Sequence, residues 1–153
     1  MATLEYFIVC ESTSVDAATG RISLFHVIED LFPDHFPYVL PRVEAVSLWN
    51  LEAEDDGKDF QVLLRITPPG LRVADFPMNL SRGRSRYRAV LAVERIPLPQ
   101  PGTLSFEVLL NGRHQASHTV TVQATGALVA GEDLDESVRG LDSRPTPETP
   151  EVL

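Results

Sequence analysis

Four arginines recur at every second position, Arg82, Arg84, Arg86 and Arg88. On an extended strand that spacing sends all four side chains to one face. A row of guanidinium groups can grip phosphates or a carboxylate-bearing partner through paired hydrogen bonds. The plainer reading is a solvated strand face balanced by nearby carboxylates. A second concentration of charge, Glu52, Glu54, Asp55, Asp56 and Asp59, supplies oxygen ligands of the kind calcium takes. Calcium needs about six to eight ligands from converging loops, and the spacing of a helix–loop–helix calcium motif is missing. A solvated turn is expected there, and no metal.

Other reactive residue types give less. His114 and His118 would be a metal pair on a helix, but on a strand they lie about 13 Å apart. Cys10 follows the apolar run Tyr6-Phe7-Ile8-Val9 and reads as a small core residue, since a thiol nucleophile needs exposure and an activating base. As the lone cysteine it excludes an internal disulfide and a zinc centre of several thiolates. A reducing, cytoplasmic location is expected. Glu11, Glu29 and Glu94 are strand carboxylates, but nothing in their spacing joins two of them. The sequence has no phosphate-cradling glycine loop, nucleophile elbow or dinucleotide fingerprint. No enzyme and no cofactor are expected.

Two segments could meet a partner. The loop Leu31 to Pro41 carries Phe32, Phe36 and Tyr38 among Pro33, Pro37 and Pro41. Aromatic side chains on a stiff backbone lose little entropy on binding, so these three are candidate anchors. The competing reading is a lid over the open end of the core. Near the C-terminus, Leu134, Val138 and Leu141 stand at helical spacing among acids, a pattern that folds into a partner's groove.

The elements that must position these residues are strands. Alternation of period two fills Phe60 to Thr67, with Phe60, Val62, Leu64 and Ile66 on one face. It returns in Thr103 to Leu110, and Asn111-Gly112 then suits a two-residue hairpin turn. His114 to Val122 pairs back, with His114, Ala116, His118, Val120 and Val122 expected inward. Further strands are expected over Leu4 to Glu11, Ile22 to Glu29, Val43 to Leu51 and Arg86 to Arg95, and a shorter one near Leu71 to Phe76. The first three of these are apolar on both faces and are expected to be central or covered. Pro69-Gly70 marks a type II turn.

Seven or eight strands without helical periodicity predict an all-β fold, an antiparallel β-sandwich of immunoglobulin-like or C2-like form over residues 1–124. Residues 125–153 are rich in Gly, Pro, Thr and acid and are expected to form a disordered C-terminal tail. That tail holds much of a formal net charge of −9, which argues against a general polyanion binder. No apolar run approaches the roughly 20 residues of a membrane span, so no membrane association is expected.

Asp16 to Gly20 followed by Arg21-Ile22-Ser23-Leu24-Phe25, the Phe32-Pro33 before Pro37, and Pro97 to Phe106 together resemble an uncharacterised bacterial family of small β-sandwich proteins. The family is a domain of unknown function frequent in planctomycete-like genomes, and the resemblance spans about Leu4 to Val122. Its motifs are turn residues and strand apolars, so the resemblance implies the fold and no activity. His26 and the Arg82 to Arg88 segment depart from the pattern. The expectation is a non-catalytic module that binds another bacterial protein. The alternative is anion or nucleic-acid binding through the arginine stripe.

Overall fold

The computed structural model describes residues 2–52, 60–82 and 86–125. Ten strands are present among the described residues: β1 (Thr3–Val15), β2 (Ile22–Val27), β3 (Asp30–Leu31), β4 (Tyr38–Asn50), β5 (Val62–Thr67), β6 (Ala74–Met78), β7 (Ser81–Arg82), β8 (Tyr87–Leu98), β9 (Gly102–Leu110) and β10 (Arg113–Val122). They form two five-stranded sheets, β2-β1-β4-β8-β7 and β3-β10-β9-β5-β6. Pairing is antiparallel except for β3, which runs parallel to β10. The predicted all-β sandwich is therefore present. The two two-residue strands carry no alternation and are not foreseen.

The inner faces interlock around Trp49, Phe106, Leu64, Leu98 and Leu104, each with almost no exposure. Enclosing a side chain of that size contributes about 1.5–3 kcal/mol, which makes this layer the main source of stability. The predicted inner face of β5 is correct, and Phe60 packs against it from just before the strand. Trp49 brings a polar group into the core, and its Nε1–H donates to the buried Ser47 Oγ at 2.9 Å.

Turn chemistry follows the sequence closely. Asn111 (φ 49) and Gly112 (φ 83) make the β9–β10 hairpin turn with both residues left-handed. Gly70 (φ 79) occupies the third position of the turn closed by Leu71 N–H to Pro68 O, 3.2 Å.

Three expectations need correction. His114 does not face inward: an extra residue between His114 and Ala116 shifts the register against β9, setting His114 opposite Leu109 on the outer face, where it is exposed. The strand expected near Leu71 runs later, Ala74–Met78. The Ile22 segment is no central strand but the edge of its sheet, and Phe25 and Val27 are exposed there. β1 and β4, by contrast, are interior to their sheet, and Cys10 and Val46 are enclosed on its outer face. The turn at Asp55-Asp56-Gly57 and the segment 126–153 lie outside the described residues.

Candidate functional site

After β2 the chain leaves one sheet through Ile28 and Glu29 and joins the other as β3. This crossing is held by backbone and side chain together. Ile28 N–H donates to Val9 O at 3.1 Å, and Thr121 N–H donates to Glu29 O at 3.1 Å. His118 on β10 closes the gap between the sheets. Its Nε2 lies 2.6 Å from Ile28 O, and a carbonyl only accepts, so Nε2 carries the proton. Nδ1 is left to accept a long hydrogen bond from Val9 N–H, 3.4 Å. The ring also meets Phe106 edge to face, with centroids 6.4 Å apart.

Beside this crossing lies a groove of about 460 Å³. Val27, Ile28, Leu31, Tyr38, Leu40 and Pro41 make its apolar surface; Glu11, His26, Asp30 and Arg42 stand among its polar lining. That size and make-up, apolar with a few polar groups, suit a ligand side chain or short segment. His26 is left-handed (φ 56), and its Nδ1 meets Glu11 Oε1 at 2.9 Å on the exposed lip.

A polar cluster backs one side of the groove. Thr13 Oγ1 donates to Glu44 Oε1 at 2.6 Å, and Arg42 donates from Nη2 to Glu44 and from Nη1 to Glu94, each at 3.0 Å. Burial pushes the Glu44 carboxyl up, but the Thr13 hydroxyl and the Arg42 guanidinium outweigh it and hold the group below its usual range. Burial, reinforced by the nearby Glu44 charge, raises the Cys10 thiol, so Cys10 is the inert core residue expected. Sequence spacing does not join Glu44 to Glu94; the β4–β8 register does, because Arg42 stands opposite Glu94. The signal available in sequence is a lone acid inside the apolar run Val43 to Val46, since a buried carboxylate requires a partner.

The candidate residues separate. Arg82 to Arg88 do not share a strand, because β7 ends at Arg82, β8 begins at Tyr87, and the two pair antiparallel, Ser81 with Arg88 and Arg82 with Tyr87. The period-two spacing thus falls across two antiparallel strands instead of along one. Arg84 lies outside the described residues, and Arg86 is exposed in the bend before β8. Arg88 is half-buried and donates to Gly20 O at 3.3 Å. Phe36 and Tyr38 are half-buried against the core, as a lid requires, and Tyr38 also lines the groove; Phe32 is half-buried. Leu134, Val138 and Leu141, like Glu54, Asp55, Asp56 and Asp59, lie outside the described residues. Among the described residues no three of His, Cys, Asp or Glu converge as a metal site, and no helix is long and apolar enough to cross a membrane.

A family of unknown function, DUF6941, matches residues 5–123. The chain belongs to that family. The DUF6941 match takes in nearly all of β1 and every later strand, so the groove and its crossing are part of the family domain. No curated protein matches the chain.

Proposed function

We propose that this DUF6941 chain is a non-catalytic interaction module whose groove receives an extended, apolar-anchored segment of another protein. The observation that carries this reading is the groove itself: apolar Val27, Ile28, Leu31 and Leu40 set among charged residues, at the crossing where Ile28 is fixed from two sides. A fixed wall costs little order on binding. Asp30 favours a partner with Lys or Arg beside its anchor, since Arg42 is already engaged by two carboxylates and Glu11 by His26. That same engagement supports the non-catalytic part, because neither Glu44 nor Glu94 is left to act alone as acid or base. A bacterial, cytoplasmic setting belongs to this reading, and the buried free thiol of Cys10 suits it.

The alternative, anion or nucleic-acid binding, loses the one-strand stripe that motivated it. A displayed library of extended peptides selected on the full chain tests the leading reading. Peptides with one apolar anchor and a neighbouring basic residue should be enriched. Pro41→Arg, which places a long side chain at an exposed groove position, should weaken them about tenfold or more at unchanged melting temperature. No enrichment, or equal binding by the variant, would overturn it.

A further inference from the structure

The chain leaves β10 beside the groove. Gln123 N–H donates to Leu31 O at 3.0 Å, and Thr125 N–H to Pro33 O at 3.2 Å. Thr125, the last described residue, is therefore fixed at Pro33, which follows the groove residues Asp30 and Leu31 by three and two positions. We infer that the segment Val138 to Arg144 of this same chain occupies the groove and competes there with outside partners. This rests on the reading above, that the groove takes an apolar-anchored segment with a basic neighbour. Val138 to Arg144 lie outside the described residues, and it is their sequence and their tether at Thr125 that assign them to the groove.

Charge selects the segment. In the groove lining Glu11 is paired with His26, and Arg42 with Glu44 and Glu94. Asp30 is exposed and has no ion-pair partner among the described residues. An occupant with a cation close to its apolar anchor satisfies it. Residues 126–153 contain two cations, Arg139 and Arg144. Arg139 directly follows Val138, and Arg144 comes three residues after Leu141. From Val138 to Arg144 two arginines stand against the single carboxylate of Asp142, so this segment is locally basic inside an acidic stretch. The other apolar residues nearby lack that feature: Leu128 and Val129 have no basic neighbour, and Leu134 stands between Asp133 and Asp135.

The tether is long enough. Val138 lies 13 positions after Thr125, a span of at most about 45 Å. Asp30 is three residues from the Pro33 anchor, at most about 11 Å away. A short tether sets an effective concentration in the millimolar range, so a segment with a dissociation constant on the order of 1 mM fills about half of the grooves. Such an occupant yields to a tighter partner. It favours the folded state by a factor of only about two, which moves the melting temperature little.

Backbone amide NMR of the full chain tests the assignment. Val138→Asp with Leu141→Asp removes both anchors and leaves every described residue unaltered. The amide signals of Asp30, Leu31 and Leu40 should move relative to wild type, and those of Asn111 and Gly112, at the far end of β10, should not. The shift should be the same at all protein concentrations. A labelled synthetic peptide of residues 137–145 should bind the doubly substituted chain about twofold more tightly than wild type, and Pro41→Arg added to that chain should abolish the binding. Unmoved groove signals, or a peptide that does not bind the substituted chain, overturns the inference. A shift that grows with protein concentration overturns it as well, because the segment then enters the groove of a second copy. The two readings of the groove fail separately. If library-selected peptides bind while the 137–145 peptide does not, this inference falls and the outside partner stands; if the 137–145 peptide alone binds, the reverse holds.

Discussion

Glu44 is the residue at which several effects can be weighed. Its side chain keeps 11% of its exposure, so desolvation opposes its charge, and the Thr13 and Arg42 hydrogen bonds more than offset that. A carboxyl held below its usual range binds its proton less readily in the folded chain than in the unfolded one. Its stabilising contribution is therefore complete above the ordinary carboxylate pKa and is lost as pH falls through the lowered folded value. Glu44→Gln should reduce stability at neutral pH by about 1 kcal/mol. The variant should also show a shallower acid limb than wild type when urea denaturation is repeated at descending pH. Equal acid limbs would remove Glu44 from the account. His118 makes the complementary point, that a residue's face can be read from sequence when its bonds cannot. Alternation places it inward, but nothing local reveals that it joins Val9 and Ile28, residues 109 and 90 positions away.

At the scale of elements, alternation gives each strand its existence and fails where backbone geometry changes the phase. β4 and β8 stay in one register from Tyr38 opposite Leu98 to Trp49 opposite Tyr87. The buried positions nonetheless change parity in both, from Leu40 to Val43 and from Val93 to Ile96. Arg95, left-handed at φ 59, sits at the change, and the register puts Pro41 across from it. A strictly alternating reading ends both strands here, which is why they were expected to start or stop several residues short. The β2 edge is illegible for a related reason: Phe25 and Val27 look like core in sequence, and only strand order shows that no neighbour covers them. Positive φ is costly for β-branched side chains and free for glycine. Arg95→Val should therefore destabilise the fold by about 1–2 kcal/mol in urea denaturation, with Arg95→Gly neutral or slightly stabilising. The reverse order would mean that the phase change does not depend on the left-handed residue.

For the whole molecule, composition places the end of the folded unit near residue 124, and the last described residue, Thr125, is held by hydrogen bonds. Gln123 N–H donates to Leu31 O at 3.0 Å, Thr125 N–H to Pro33 O at 3.2 Å, and Thr125 Oγ1 to the Phe32 and Pro33 carbonyls at 3.2 and 3.0 Å. These bonds continue the line along which β3 pairs with β10 and fasten the aromatic loop that carries Phe36 over the core. Beyond them, residues 126–153 hold seven carboxylates against two arginines, a composition that favours water over a core. The two cuts should behave differently. A chain ending at Thr125 should keep the melting temperature of the full chain while losing more than half of the net charge of −9. A chain ending at Val122 loses the whole set of loop bonds, each contributing about 0.5–1.5 kcal/mol, and should melt lower by roughly 5 °C or more. Equal melting of the two truncated chains would show that the loop is held by the packing of Phe36 and Tyr38 alone. A drop already present in the Thr125 chain would mean that residues 126–153 contribute to the fold.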